Sequence, residues 1–359
     1  MKRENFITKI SKLGVIPFVC VTLLAVSCDP PVDPPVTQEE NGIYVLNEGG
    51  FNMNNSSLSF YNFNNQTVIQ DLFLQNNNRG LGDVGNDMSL YGNKLYVVVN
   101  NSETIEVLNP KNATSIQQVS LSGKQPRNIA FHENKAYVTC FDGTVVRIDT
   151  TTLTIDAIAT VGSNPEGIAI VNNKIYVANS GGLSSPITSN TVSVLDINSF
   201  SVINTIPVAV GPRIIKADKY GDLYVACTGN YGNIPPSFHR INTQSDATVE
   251  NLNLQVQNFT IHGNFAYVYA YNFTDQSKWF KVIDISTENI VKDQFITDAT
   301  QIAVPYGIAV DPHTHNVYIT DAGDFVSTGE VFCFNTNGVL QYRFDAGVNP
   351  SGAMVFLRD

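Results

Sequence analysis

The chain has 359 residues, of which 43% are hydrophobic and 15% charged, and its formal net charge is −11 at pH 7. Such an acidic balance argues against nucleic acid as a partner, since a protein that binds nucleic acid needs a basic surface to neutralise phosphates. A chain of this length suffices for one large domain or two small ones.

The first 27 residues are typical of a secretory signal. Four basic residues are followed by the apolar stretch GVIPFVCVTLLAV and by small residues before Cys28, which is the order found in signal peptides. The apolar stretch is too short for a good membrane span, and prolines follow it closely. Residues 25–28, Ala-Val-Ser-Cys, resemble a bacterial lipobox. We therefore expect lipidation of Cys28, with a plain cleaved signal and an incidental cysteine as the alternative.

Residues 28–41 are expected to form a tether. After Cys28 the sequence DPPVDPPVTQEEN is acidic, rich in proline and free of aromatic residues, a composition typical of an extended spacer. Without residues 1–27 the chain keeps 17 Lys and Arg and 31 Asp and Glu, a net charge of −14. This charge also argues against a basic membrane-binding face. Residues 42–359 should form the folded domain.

A repeat with a spacing of about 40 to 50 residues runs through this domain. The segment NPEGIAIVNNKIYVAN, residues 164–179, has an echo in QPRNIAFHENKAYVTC, residues 125–140. Each copy contains an apolar strand, a polar turn and a second strand with a tyrosine. The repeat tyrosines are Tyr44, Tyr96, Tyr137, Tyr176, Tyr224, Tyr267 and Tyr318.

Two further strands accompany the tyrosine strand. The apolar strands before it begin near Gly85, Pro126, Pro165, Pro212, Val256, Pro305 and Pro350. The alternating strands after it end near Asn62, Asn109, Asp149, Asp196, Asn242, Asp284 and Asn335, residues that suit a tight turn. No helical periodicity of useful length interrupts the pattern. The sequence therefore predicts stacked all-β units.

The two ends of the repeat complete each other. The first copy starts at its tyrosine strand, whereas the last apolar strand, residues 349–357, has no tyrosine strand after it. Pairing between them would close a ring and remove an exposed sheet edge. We therefore predict a seven-bladed β-propeller with four-stranded blades, closed by residues 349–357 in the first blade. An open sandwich or two smaller domains would explain neither the seven repeats nor the division of one repeat between the two ends of the domain.

Three cysteines remain in the domain, namely Cys140, Cys227 and Cys333. With Cys28 lipidated their number is odd, so a disulfide framework is not expected. Cys140 and Cys227 each follow a repeat tyrosine by three residues, which fits a small buried thiol.

The Pro-x-Gly-Ile-Ala, Tyr-Val-Ala-Asn and Val-x-Val-x-Asp strands resemble those of the YncE-like, surface-layer-protein family of seven-bladed propellers, over residues 42–357. The lipobox, the acidic tether and the Asn-rich blades further resemble the BtuG group of surface lipoproteins. That resemblance implies cobalamin (vitamin B12) as a bound ligand and no catalytic cofactor. It also implies a TonB-dependent, BtuB-like outer-membrane transporter as a partner, and a lipid-anchored location on the outer membrane at the cell surface.

A ligand is expected on the face where the apolar strands begin, because loops on one face of a rigid scaffold commonly carry binding sites. The residue after the proline position should form a polar ring, and the next position adds further side chains. These residues are Asn86, Arg127, Glu166, Arg213, Gln257, Tyr306 and Ser351, with Asp87, Asn128 and Asn258 beside them. Arg127, Glu166 and Arg213 come from consecutive blades, so they either bind ligand or pair with one another.

Long loops outside this ring carry aromatic side chains. Their aromatic residues include Phe51, Tyr231, Trp279 and Phe325. Aromatic surfaces beside amide groups suit a large, amide-bearing and partly apolar ligand. Each of these residues alternatively packs against its own loop.

Two other functions fit a propeller. One is a surface-layer or protein-interaction scaffold that uses the rim and the long loops. The other is a lactonase-type metal hydrolase built on Asp87, Glu166 and nearby Asn residues, although Arg127 and Arg213 would repel a divalent cation. Nucleophile-elbow and phosphate-binding glycine motifs are missing from the sequence, and the histidines are expected in turns of the opposite face or, for His239, on an outer strand. We therefore expect a ligand-binding protein that is not an enzyme and uses no metal.

Overall fold

The computed structural model describes residues 41–358, which form seven four-stranded antiparallel sheets and one short helix. This is the seven-bladed propeller predicted from the sequence. The predicted signal peptide and nearly all of the tether, including Cys28, lie outside the described residues. Within residues 41–358 no helix has the length and apolarity needed to cross a membrane.

The blades follow one another in chain order, and each is built from the channel outward. The first contains β1 (Gly42–Asn47), β2 (Ser57–Asn62) and β3 (Val68–Ile69), and is followed by α1 (Leu72–Asn77). The second contains β4 (Gly85–Tyr91), β5 (Lys94–Val99), β6 (Thr104–Leu108) and β7 (Ser115–Ser120). The third contains β8 (Pro126–His132), β9 (Lys135–Cys140), β10 (Thr144–Asp149) and β11 (Thr154–Thr160). The fourth contains β12 (Pro165–Val171), β13 (Lys174–Asn179), β14 (Thr191–Asp196) and β15 (Ser201–Pro207).

The remaining blades follow the same plan. The fifth contains β16 (Pro212–Ala217), β17 (Leu223–Cys227), β18 (Ser237–Asn242) and β19 (Ala247–Asn251). The sixth contains β20 (Asn258–His262), β21 (Phe265–Tyr271), β22 (Lys278–Asp284) and β23 (Asn289–Lys292). The seventh contains β24 (Pro305–Val310), β25 (Val317–Asp321), β26 (Thr328–Phe334) and β27 (Leu340–Val348). The last strand, β28 (Pro350–Leu357), returns to the first blade.

Strand β28 closes the ring as the split repeat predicts. It pairs with β1 in antiparallel register, with Gly42 opposite Leu357 and Tyr44 opposite Val355. The strand order of the first blade is therefore β28-β1-β2-β3. Strand β28 therefore covers the inner edge of β1, which would otherwise be exposed.

The repeat tyrosines explain how neighbouring blades hold together. All of them are buried, with at most 6% of the side chain exposed. Several hydroxyl groups bond to the next blade: Tyr44 donates to the carbonyl of Pro110 at 2.8 Å, and Tyr224 donates to that of Ile285 at 3.2 Å. Tyr176 donates to the carboxylate of Asp246 at 2.6 Å. The tyrosine therefore combines apolar burial with a polar contact between blades.

The faces of the ring also follow the sequence prediction. We call the face at which the inner strands begin the top face. The loops that leave the tyrosine strands lie on it, because their N–H groups donate to the turns that enter the inner strands. Examples are Ser180 to Asn164, at 3.2 Å, and Phe141 to Gln125, at 3.0 Å.

Small differences from the prediction have local causes. The inner strand of the sixth blade begins at Asn258, two residues after the expected start at Val256. The outer strand of the first blade has only two residues, and helix α1 follows it and buries Leu72 and Phe73. Cys140, Cys227 and Cys333 are buried free thiols, and burial was expected for the first two.

Candidate ligand-binding site

A cavity of about 1200 Å³ lies at the top of the central channel. All of the polar residues predicted for the ring line it: Asn86, Asp87, Arg127, Asn128, Glu166, Arg213, Gln257, Asn258, Tyr306 and Ser351. Small-molecule pockets typically measure roughly 300 to 1000 Å³. The cavity is therefore large enough for an unusually bulky small molecule.

Backbone bulges position the ring residues. The pairing between inner and tyrosine strands shifts by one residue just after the first position of β4, β8, β12, β16 and β24. In β16, for example, Pro212 pairs with Cys227 and Ile214 with Ala226, so Arg213 has no partner in the ladder. A bulge re-aims a side chain and bends the strand. The polar ring therefore depends on a backbone feature that recurs from blade to blade.

Arg127, Glu166 and Arg213 form one charged cluster, so pairing between them is observed. The carboxylate Oε2 of Glu166 accepts from Arg127 at 2.9 Å and from Nε of Arg213 at 3.2 Å. Its Oε1 accepts from the hydroxyl of Ser180 at 3.3 Å. The guanidinium of Arg127 also stacks over the ring of Phe141 at 4.5 Å. This cluster gives the fourth blade's glutamate a fixed position between two cations.

The cluster changes the electrostatics of the cavity. Burial raises the pKa of Glu166, but the charges and hydrogen bonds of Arg127 and Arg213 outweigh it, so the pKa falls from 4.5 to about 2. Glu166 is therefore an anion at neutral pH. The side chain of Arg213 is 44% exposed, and its terminal nitrogens face the cavity without a hydrogen bond to any residue in 41–358. Arg213 thus remains able to bind a ligand.

Glu48 is a site residue that the sequence analysis missed. It lies in the loop after β1, lines the cavity, and accepts a 2.6 Å hydrogen bond from the hydroxyl of Tyr306. Burial raises the pKa of Glu48, and the bond from Tyr306 opposes that shift. Glu48 lies four residues after its repeat tyrosine, and the other six blades have no acidic residue at that distance. The repeat pattern therefore did not point to it.

Asp87 and Asn128 form a second polar cluster deeper in the channel. The carboxylate of Asp87 accepts from the backbone N–H groups of Met88 at 2.8 Å and Ile129 at 3.0 Å, and from the side chain of Asn128 at 3.2 Å. Burial raises the pKa of Asp87, and these hydrogen bonds oppose the rise. Lys216, which the sequence analysis also missed, lines the same part of the channel.

Aromatic side chains cover part of the cavity wall. Tyr231 and Trp279 line it as expected, together with three residues that were not singled out, Tyr269, Tyr271 and Phe273. Tyr269 and Tyr271 lie in the last three residues of β21 and Phe273 follows the strand, so a tyrosine-rich strand end was the signal. Two other predicted aromatics do not line the cavity: the side chain of Phe51 is 67% exposed, and Phe325 packs edge-on against Tyr306.

Two buried polar atoms in the site have no hydrogen-bond partner among the described residues. They are Oε1 of Gln257 and Nε of Arg127. A buried polar atom without a partner is costly.

The chemistry of the wall does not resemble a metal centre. Within residues 41–358 no three His, Cys, Asp or Glu side chains are grouped so that they can hold a metal ion. His132 and His262 end β8 and β20 at the bottom face, and His313 and His315 lie in the turn after β24. His239 is buried in β18, with Nε2 2.9 Å from the hydroxyl of Ser237.

Solved structures show the same fold. A quinonprotein alcohol dehydrogenase-like protein from Bacteroides thetaiotaomicron superposes with a TM-score of 0.65 and 16% identity, covering 88% of this chain and 78% of that one. Hydrazine synthase from Kuenenia stuttgartiensis gives a TM-score of 0.60 and 18% identity, covering 72% and 86%. At such identities the similarity shows the fold alone. No curated protein matches the sequence. The family described as a domain of unknown function, DUF5074, matches residues 41–353, and the chain therefore belongs to that family.

Proposed function

We propose that this protein captures a large, amide-bearing small molecule in the top cavity and releases it unchanged. The observation that carries the proposal is the cavity itself, about 1200 Å³ in volume and lined by polar residues from all seven blades and an aromatic wall. Rigid strands hold the polar groups, and aromatic side chains offer apolar surface beside them. This combination is typical of ligand-binding sites.

Cobalamin is the first ligand to test. Its peripheral amides match the amide side chains of Asn86, Asn128, Gln257 and Asn258, and its phosphate matches the free terminal nitrogens of Arg213. The resemblance of the leader, the tether and the blades to surface lipoproteins of the BtuG group supports the same choice. On that resemblance, the protein is tethered to the outer membrane through Cys28 and passes its ligand to a TonB-dependent transporter.

Ligand capture accounts for the residues that line the cavity better than metal-dependent hydrolysis does. Each carboxylate that lines the cavity already has partners: Glu166 accepts from two arginines, Asp87 from three N–H groups, and Glu48 from Tyr306. A divalent cation would need several of these oxygens at once and would have to displace their donors. An anionic ligand, by contrast, can use the terminal nitrogens of Arg213, which donate to no residue in 41–358.

Calorimetry on the propeller, residues 41–359, tests the proposal directly, because the closed ring contains every blade. We expect cyanocobalamin to bind wild-type protein and to bind Arg213→Ala roughly ten- to a hundredfold more weakly, since a hydrogen bond to a charged group is worth about 1.5 to 3 kcal/mol. His132→Ala, at the bottom face, is the control and should bind as wild type does. Equal affinity in all three proteins would place the site elsewhere. Absence of heat with any corrinoid would reject cobalamin.

A scaffold function is the second candidate, because exposed apolar side chains surround the cavity mouth. Phe51 and Met53 are each 67% exposed, and Leu183, Phe273 and Val326 are 66%, 61% and 78% exposed. All of them lie in loops of the top face. If no small molecule binds, these residues are the ones to mutate in a search for an envelope protein partner.

The anchoring part of the proposal has its own test. Full-length protein expressed in a Gram-negative host should fractionate with membranes, whereas Cys28→Ala should be released in soluble form, since the thiol that receives the lipid is gone. Immunoblotting of salt-washed membrane and soluble fractions measures the difference. Cys140→Ala, a buried thiol of the propeller, should fractionate as wild type does. Persistence of Cys28→Ala in washed membranes would refute lipid anchoring at this residue.

A further inference from the structure

Two cations on one inner strand enter the cavity with unused hydrogen-bond donors. Arg213 and Lys216 both belong to β16, line the cavity and are exposed to it. Within residues 41–358, Arg213 donates only through Nε, to Glu166, and the ammonium of Lys216 donates to no residue. An ammonium group has three donors. Four N–H groups of Arg213 and three of Lys216 thus face the channel contents without a partner in residues 41–358.

Lys216 is exceptional for its position in the repeat. The residue three places after the ring residue is uncharged in every other blade: Ser89, Ala130, Ala169, Thr260, Ala309 and Met354. The Lys216 side chain is exposed to the cavity, but the protein around the channel partly desolvates its charge and lowers its pKa. Partial removal of a charge from water is unfavourable without a partner, so stability does not account for a lysine at this position.

The nearby carboxylates do not supply that partner. Asp87 is the acidic group whose charge acts on Lys216, but both of its oxygens accept hydrogen bonds from Met88, Ile129 and Asn128. Glu166 lies between Arg127 and Arg213, and Glu48 accepts from Tyr306. The acidic groups of the wall are thus engaged, while the two cations of β16 keep free donors.

We propose that Arg213 and Lys216 form an anion subsite that receives a carboxylate or phosphate group of the ligand. Three residues of extended strand span about 10 Å, and two long side chains at that separation can converge on one anionic group. Arginine and lysine are the usual donors to such groups. The inference rests on the proposed function and gives the ligand an orientation, with its anionic group in the channel and its apolar part against Tyr231 and Trp279.

Nuclear magnetic resonance of lysine side chains tests the subsite with inorganic phosphate as the probe. Reductive methylation of the propeller with ¹³C-formaldehyde labels each lysine, and the variant Lys216→Arg identifies the Lys216 signal. Phosphate is then titrated into the millimolar range, with sodium chloride at equal ionic strength as the reference. Lys219, which is exposed three residues later, provides an internal control signal.

We expect a saturable phosphate shift of the Lys216 signal that chloride does not reproduce and that Arg213→Gln reduces at least several-fold. A Lys216 signal that does not respond to phosphate, responds no more than Lys219, or responds equally in Arg213→Gln would overturn the subsite. Cyanocobalamin binding, measured separately, distinguishes the two proposals. Corrinoid binding without a phosphate response rejects only the subsite, and a phosphate response without corrinoid binding rejects only cobalamin.

Discussion

Glu166 organises the charged part of the cavity at the scale of single residues. Its carboxylate fixes Arg127 through one oxygen and restrains Arg213 through the same oxygen. Arg127 is nearly buried, whereas Arg213 keeps its terminal nitrogens in the cavity. A single buried anion thus holds one cation in the core of the cluster and leaves the terminal nitrogens of the other without a partner in residues 41–358.

Removing the charge of Glu166 should therefore destabilise the protein. We expect Glu166→Gln to lower the free energy of unfolding by roughly 3 kcal/mol at pH 7, because Arg127 would stay buried without its partner. Urea denaturation measures this loss. Glu133→Gln is the control, since the Glu133 side chain is 83% exposed and its replacement should cost less than about 0.5 kcal/mol.

Wild type and Glu166→Gln should also respond differently to acid. The pKa of Glu166 is about 2 in the folded protein against 4.5 for the unconstrained group. Its contribution is therefore complete above pH 4.5 and is lost as the pH falls towards 2. We expect the stability difference between wild type and Glu166→Gln to shrink between pH 5 and pH 2. A difference that stayed constant over this window would show that folding does not lower the pKa of Glu166.

The ring could be predicted from sequence, and so could the charged pairing within it, as one of two alternatives; its other interactions could not. Asn86, Arg127 and Gln257 were identified because they occupy the same position in successive repeats. That position can be read from the sequence without knowing any contact. Glu48 was missed because it lies in an irregular loop. Lys216 was visible in principle, as the one charge at its position in the seven repeats, but its significance depends on the channel that surrounds it.

At the scale of elements, the inner strands approach one another closely through glycine. A Cβ atom on Gly167 would lie 2.6 Å from the carbonyl oxygen of Arg213 and 2.8 Å from the nitrogen of Ile215. Both contacts are to backbone atoms of the next inner strand. The glycine of the Pro-x-Gly-Ile-Ala strand is therefore required by packing between the fourth and fifth blades.

This close contact makes Gly167→Ala a sharp test of the inner ring. We expect the substitution to lower the free energy of unfolding by about 1 to 3 kcal/mol, because neither backbone atom can yield without moving β16. Gly80→Ala is the matched control, since a Cβ there would meet no atom within 4 Å. Thermal denaturation of the two variants should separate them by several degrees. Equal melting temperatures would show that the fourth and fifth inner strands can separate freely.

At the scale of the whole molecule, the ring closes through strands from opposite ends of the domain. This closure could be predicted because the number and order of the repeats can be counted without knowing which side chains are in contact. The bulges that aim the ring residues were not predicted, since they appear only in the pairing of two strands. The aromatic wall was predicted in part for a similar reason: loop residues such as Phe51 have no repeat position to fix them.

Closure also predicts where the ring is sensitive to mutation. Val355 is buried in β28, whereas Val291 is 50% exposed on the outermost strand β23. We expect Val355→Asp to cost more than roughly 3 kcal/mol, because it places a charge in the core of the closing blade, and Val291→Asp to cost less than about 0.5 kcal/mol. Urea denaturation distinguishes the two. Similar stability of both variants would contradict the role of β28 in closing the ring.

The pairing of Gly42 with Leu357 places the first residue of β1 at the end of β28, on the bottom face and away from the cavity mouth. Strand β1 runs from the bottom face to the top, so whatever precedes residue 41 joins the propeller on the side opposite the mouth. An anchor at the end of the chain before residue 41, as proposed for Cys28, would therefore attach to the face opposite the mouth and leave the mouth open to a ligand.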